Sequence, residues 1–326
     1  MVTEPAEVHL PPAPPDVPPR PERRRGLLHA LVVLARPRQW VKSGFVLLGP
    51  LYGLRDLSMP WQRALGLGMI AAAAFALASS ATYVFNDLRD VEADRTHPRK
   101  RRRPIAAGEV SPSQAWIYML VLGLGATVLG LWVGSWPVLI LLALYVVNVT
   151  AYSLRLKHIV IADVMSLSLG FVLRMLAGCA AIGIGPTTWL LNVTLFLSMF
   201  LSFGKRLGER RTMGADAAAA RGVQAAYTDE LLRMAVVVTA VATLVTYAGY
   251  VQSRELAVRH VLWQPAGEFN LLWLTTLPAT YALLRAIVLL ERGRYDDPTE
   301  LFARDFPMQL AALGFAGLTV MALAWH

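Results

Sequence analysis

The chain has 326 residues, 56% of them hydrophobic and only 16% charged, an apolar share above and a charged share below those of an ordinary soluble domain. These proportions exclude a water-soluble globule and predict an all-α integral membrane protein. The net charge of +9 must sit in the few polar stretches, and the single cysteine, Cys179, excludes an intramolecular disulfide and a thiolate metal site.

Residues 1–25 hold eight of the 20 prolines and end in Arg23, Arg24 and Arg25. Such a composition cannot bury enough apolar surface to fold, so a disordered cytosolic tail is expected, with residues 26–326 forming a single transmembrane domain. Gly26 to Ala35 join a basic flank to a short apolar run as a signal peptide does. Arg36-Pro37-Arg38 stands where a cleavage site would be, which favours a helix lying on the membrane surface. Nine apolar segments follow, roughly 41–57, 63–85, 113–133, 137–154, 159–183, 187–204, 231–251, 270–290 and 307–325, each long or nearly long enough to cross about 30 Å of hydrocarbon. The first and fourth are interrupted or short. On the side that holds the N-terminus and the even-numbered loops lie 24 Lys and Arg residues, against four on the other, which places those loops and the N-terminus in the cytoplasm and the C-terminus outside.

Basic loops are what any cytoplasmic rim shows, so the acids are more informative. The second span ends in Asn86-Asp87-Leu88-Arg89-Asp90-Val91-Glu92-Ala93-Asp94. At about 100° per residue, Asp87, Asp90 and Asp94 share one helix stripe, where they repel one another unless a cation lies between them. Hard oxygens at this spacing suit magnesium shared with phosphate oxygens. Five consecutive basic residues, Arg99 to Arg103, follow, and can clamp phosphate or serve topology alone. The loop after the fourth span supplies Tyr152 and Lys157, with Asp163 just beyond. After the sixth span come Lys205, Arg206 and Glu209 at helix-end spacing, and ahead of the first span Gln39, Trp40 and Lys42 stand at interface depth.

These stretches resemble the UbiA-type intramembrane prenyltransferase superfamily, on the nine-span layout, the Asn-Asp-x-x-Asp-x-x-x-Asp of residues 86–94 and the Tyr-x-x-x-Leu-Lys of residues 152–157. Within it, Arg36 to Lys42, Asn86 to Gly108, Leu156-Lys157-His158 and Gly204-Lys205-Arg206-x-x-Glu209 look most like the actinobacterial decaprenyl-phosphate phosphoribosyltransferases. Quinone-type members carry a second aspartate-rich motif after the sixth span. Here that position is more basic than acidic, as a second phosphate-bearing substrate would require. Two positions depart from the close relatives: Ser43 stands where Asn is common, and Asp163 where Glu can occur.

The resemblance implies a UbiA-like bundle in the plasma membrane with its active site at the cytoplasmic face. It implies Mg2+-dependent transfer of 5-phosphoribosyl from 5-phosphoribosyl 1-diphosphate to a polyprenyl phosphate, releasing diphosphate, in cell-wall arabinan precursor synthesis. It permits a homo-oligomer such as a trimer, and no nucleic-acid partner is expected. Asp87, Asp90 and Asp94 are then the magnesium ligands and Asn86 and Tyr83 orient them or touch ribose. Arg103, Lys157, Lys205 and Arg206 hold phosphate oxygens, with Tyr152, Asp163 and Glu209 completing the polar rim. Lys42 and Gln39 would hold the lipid phosphate. Two other readings compete: prenyl transfer to an aromatic quinone or haem precursor, which the basic 205–209 segment disfavours, and a lipid transporter, which should carry its polar groups near mid-membrane. His29, His97 and His158 read as solvated histidines. Arg174, about 16 Å below Asp163 along a helix, reads equally as a structural pairing or as the floor of a polar cavity.

Overall fold

The computed structural model describes residues 26–53, 57–96, 100–213, 226–254, 259–263, 267–293 and 304–324. The proline-rich tail and His97 lie outside the described residues. The described chain is helical apart from one hairpin, and it folds as a multi-pass bundle. A short helix α1 (Leu27–Ala35) leads into a 3₁₀ segment (Pro37–Leu47) that passes directly into α2 (Leu48–Tyr52). The long helices are α3 (Trp61–Arg89), α5 (Pro112–Trp132), α6 (Trp136–Leu154), α7 (Ala162–Ala181), α8 (Thr188–Met213), α9 (Asp229–Ser253), α10 (Thr276–Glu291, preceded by a 3₁₀ turn from Leu271) and α11 (Phe306–Ala324). Between α3 and α5 sits the six-residue α4 (Val91–Thr96).

Seven of these helices are long and apolar enough to cross a membrane, and Phe306–Ala322 is a shorter apolar helix. The first expected span differs most, because the chain from Pro37 to Tyr52 is 3₁₀ and then α rather than one α-helix. An antiparallel hairpin of β1 (Arg259–Trp263) and β2 (Gly267–Asn270) joins α9 to α10. A Ser111 to Gln114 capping box starts α5, with Pro112 in the first turn where its missing N–H costs nothing. Gly134 at φ +73 turns the chain between α5 and α6.

Small residues let the helices approach closely. Ala71, Ala74 and Ala78 of α3 are buried, and with Phe75 that face meets Leu142 and Tyr145 of α6 and Leu173 and Ala177 of α7. α5 and α6 show their outer faces instead, with Leu124, Leu131, Val147, Trp132 and Trp136 exposed, as lipid-facing helices with an aromatic belt do. The tightest approach is between α7 and the 3₁₀–α2 segment, where a Cβ on Gly178 would collide with the backbone oxygen of Val46 and one on Gly49 would lie 2.5 Å from the Cys179 nitrogen. Gly178→Ala is expected to lower stability by about 1–3 kcal/mol through overpacking, read as a lower melting midpoint in detergent.

The alternating helices bring the C-terminal ends of α3, α6, α8 and α10 and the N-terminal ends of α5, α7, α9 and α11 to one end of the bundle. Ion pairs stitch that rim: Arg210 to Asp229 at 2.7 Å, Arg211 to Glu291 at 3.1 Å and Arg285 to Asp305 at 2.9 Å.

Candidate active site

The acidic stripe begins inside α3 and is interrupted at Asp90, whose φ of −92° and ψ of 10° end the helix before α4 resumes. Backbone bonds from Asp90 to Asn86 (2.9 Å) and Asp94 to Asp90 (2.8 Å) carry the helical ladder through the break, so the stripe survives. Asp87 and Asp94 are buried on it, and Asp90 is about one-third exposed.

Cations already lie between these carboxylates. Arg103 Nη1 donates to Asp87 at 3.0 Å and to Asp94 at 2.7 Å, and Arg36 Nη2 donates to the same Asp87 oxygen at 2.6 Å. Asp90 takes Arg89 at 3.0 Å and faces Lys157 at 3.9 Å. Among the described residues no three His, Cys, Asp or Glu side chains converge on one metal-binding point. The Oδ1 atom of Asn86 is buried beside Asp87 with no hydrogen-bond partner, which marks it as an acceptor waiting for a cation or donor.

Arg36 was absent from the sequence-derived site. It terminates α1 in the left-handed conformation, φ 54°, an uncommon state for a non-glycine residue, and its guanidinium lies 4.7 Å from the centre of the Tyr83 ring. The elbow is riveted to α3, because Ser80 Oγ donates to the Ala35 carbonyl at 2.7 Å and accepts from Trp40 Nε1 at 2.9 Å. Helix α1 buries Ala30 and Leu34 against α3 and the start of α5, while Leu28 and Val32 remain exposed, the two-sided character expected of a surface helix. Gln39 and Lys42, both half-buried, follow on the 3₁₀ segment.

A second patch forms around Asp163, which is fully buried at the start of α7. Arg206 Nε and Nη2 donate to its Oδ2 at 3.2 and 3.1 Å, Nη1 donates to Glu209 at 3.3 Å, and Nη2 reaches Tyr152 Oη at 3.5 Å. The sequence reading made Arg206 a phosphate ligand. In the structure it is 3% exposed and its fork is directed at two carboxylates and a phenol, because a buried guanidinium requires acceptors on all sides. Lys205, its neighbour, is half-buried on α8. Tyr152 stands in the last turn of α6 and Lys157 in the 3₁₀ turn that follows it (Leu156–His158), so this end of α6 joins the two patches.

Tyr227, fully buried ahead of α9, was also missed. Its hydroxyl donates to Asp163 Oδ1 at 2.6 Å and accepts the Ile161 N–H at 2.7 Å. Burial first, and then the bond to Asp163, hold this phenol above its ordinary pKa, so it stays a proton donor.

Arg174 does not reach the rim. It is buried in α7, bonded to Tyr145 Oη at 2.7 Å and the Gly170 carbonyl at 3.0 Å, and stacked on the Tyr145 ring at 4.4 Å, a structural pairing to α6. His29 and His158 are exposed. Below the rim, an apolar cavity of about 280 Å³ opens among α8, α9, α10, α11 and the 3₁₀–α2 segment, lined by Phe45, Leu48, Leu197, Leu201, Tyr247 and Phe315 among others.

Residues 44–313 match the UbiA prenyltransferase family. The chain is 33% identical over 294 residues to the decaprenyl-phosphate phosphoribosyltransferase of Mycolicibacterium smegmatis, covering 90% of this chain and 92% of that one. It is 32% identical over 302 residues to the enzyme of the same name from Mycobacterium tuberculosis, covering 92% and 96%. In fold it is similar to a UbiA homolog from Archaeoglobus fulgidus solved bound to DMAPP and Mg2+, with a TM-score of 0.66 at 16% identity over 91% of this chain and 100% of that one.

Proposed function

Because the chain belongs to the UbiA prenyltransferase family, we propose that its rim catalyses one particular member of that chemistry, the transfer of 5-phosphoribosyl from 5-phosphoribosyl 1-diphosphate to the phosphate of a decaprenyl or similar polyprenyl phosphate. The observation that carries this reading is the character of the second patch. The segment Lys205-Arg206-Leu207-Gly208-Glu209, more basic than acidic, stands where a second diphosphate-metal motif would need acids, and the relatives that share most of the chain's length are named for this reaction.

An oxygen of the polyprenyl phosphate attacks C1 of the ribose, the bond from C1 to the diphosphate oxygen breaks, and diphosphate leaves with the electron pair. The attacking phosphate is already anionic at neutral pH, so no general base is required, in keeping with a rim whose described histidines are solvated. The work left to the protein is to stabilise negative charge on the departing diphosphate. Asp87, Asp90 and Asp94, with the unpaired Oδ1 of Asn86, are hard oxygen donors of the kind magnesium selects, and would hold it. A bound magnesium supplies Lewis-acid neutralisation of the diphosphate oxygens. Arg36 and Arg103, which now neutralise Asp87 and Asp94, are the donors placed to take up phosphate oxygens when those carboxylates are engaged elsewhere. The apolar cavity beside α8 suits part of a lipid tail.

We infer that the rim faces the cytoplasm from the plasma membrane, the orientation resting on the charge asymmetry of the loops. The product would serve as a lipid-linked pentose precursor for the cell wall.

Two substrate pairs, offered separately to the purified protein with Mg2+, test the reading. Phosphoribosyl diphosphate with decaprenyl phosphate is expected to react, and a prenyl diphosphate with 4-hydroxybenzoate is not. The reverse result would assign the chain to aromatic prenylation.

A further inference from the structure

We infer that Tyr227 is a positioning residue for the lipid-phosphate acceptor, acting through Asp163 on Arg206 and Tyr152. This inference rests on the phosphoribosyl-transfer reading and adds to it a residue 64 positions away from the carboxylate it controls.

The patch faces the acceptor for a geometric reason. Leu197 and Leu201 of α8 line the apolar cavity, and Lys205 stands one helical turn beyond Leu201 on the same face. A lipid whose tail lies along that face brings its phosphate to Lys205 and to Tyr152, which the buried Arg206 holds, whereas the Asp87 and Asp94 pair serves the diphosphate donor.

Tyr227 decides how Arg206 is held. Its hydroxyl occupies the side of Asp163 that Oδ1 presents, so Arg206 places both Nε and Nη2 on Oδ2 alone, with Nη1 on Glu209 and Nη2 also within 3.5 Å of Tyr152 Oη. Without the hydroxyl, Asp163 can pivot so that Oδ1 and Oδ2 each take one of Nε and Nη2 in the two-oxygen bidentate geometry that carboxylates favour, drawing Nη2 off Tyr152. The same hydroxyl caps the N–H of Ile161, a β-branched residue at φ 69° and ψ −44°, a rare and costly backbone state. A strained residue whose N–H is capped by a buried phenol and whose carbonyl accepts the Met165 N–H at 2.8 Å, two positions before the central carboxylate, ties the start of α7 to Tyr227. The ring is separately anchored edge-on against Phe203, 6.3 Å between centres, so Tyr227→Phe keeps the packing and removes the bond.

The test uses the full chain in detergent or nanodiscs. Tyr227→Phe is expected to raise the KM for decaprenyl phosphate about tenfold, the effect of one hydrogen bond to a charged group, and to leave the KM for phosphoribosyl diphosphate within about twofold. Binding of decaprenyl phosphate alone, measured without donor by tryptophan fluorescence, is expected to weaken by the same factor. In an Arg206→Lys background the further change Tyr227→Phe should add little, since its effect passes through Arg206. Unchanged acceptor KM and binding would overturn the assignment. So would equal changes in both KM values with a matching drop in melting midpoint. A wild-type protein that ignores phosphoribosyl diphosphate yet binds decaprenyl phosphate in a Tyr227-dependent way would refute the reaction and retain the positioning role.

Discussion

Asp87→Ala is expected to reduce phosphoribosyl transfer by ~10²–10³-fold or more, the scale seen when one preorganised electrostatic contact to a developing charge is removed. Asp87 is buried at the end of α3, and one of its oxygens accepts from both Arg36 and Arg103. Its loss removes a hard oxygen donor from the proposed magnesium site and leaves Arg36 without the carboxylate that holds it over Tyr83. Asp87→Asn separates charge from packing. It keeps the volume and one acceptor oxygen but cannot carry the negative charge, so it should be nearly as inactive as alanine while melting close to wild type. Asp90→Ala should lose activity with a smaller structural effect, because Asp90 is about one-third exposed and its partners Arg89 and Lys157 are themselves partly solvated. Initial rates against Mg2+ concentration check the set: a raised magnesium requirement in the Asp90 variant, with no recovery in Asp87→Asn, is the expected pattern.

The second large effect falls on stability. Asp163→Ala strands Arg206 in a site where it is 3% exposed, with Glu209 as its remaining carboxylate, and is expected to cost about 3 kcal/mol, the lower part of the range for breaking a buried ion pair. It also frees Tyr227 and, through it, Ile161. Replacing both partners, Asp163→Leu with Arg206→Met, removes the uncompensated charge and should recover most of the melting midpoint. Activity should not return with it, because Tyr152 and Glu209 have lost the guanidinium that holds them. Recovery of stability and activity together would show the pair to be structural only.

Much of the fold is legible in the sequence because hydropathy over about 20 residues is a direct readout of the hydrocarbon thickness. α3, α5 to α7 and α9 to α11 lie within the expected segments or within a few residues of them, whereas α8 runs on from the expected end at 204 to Met213 and carries Lys205, Arg206 and Glu209 inside the helix. The first span was harder: Pro37, Gly44, Gly49 and Pro50 leave 3₁₀ and α turns that hydropathy cannot distinguish from one helix. The acidic stripe was legible because its members are neighbours on one helix. Its partners were not. Arg36 meets Asp87 across 51 residues and Arg206 meets Asp163 across 43, and no periodicity links such positions. For the same reason the sequence shows that residue 206 is a cation but not that its counter-ions are already supplied, and the weaker family similarity that continues through Tyr227 does not show that its hydroxyl closes the network. Arg36 did leave a trace, as the residue between an apolar run and Pro37 in a stretch that otherwise matched the family.

The most direct measurement follows the ribose. Phosphoribosyl diphosphate labelled in the sugar is incubated with the purified protein, decaprenyl phosphate and Mg2+, and the lipid extract is counted and then treated with mild acid. The account predicts label in the lipid, dependent on Mg2+ and absent with Asp87→Asn, and released by acid as a phosphorylated pentose with the decaprenyl phosphate left intact. Label that remains in the aqueous phase with the wild-type protein, under conditions where the acceptor is bound, would contradict it.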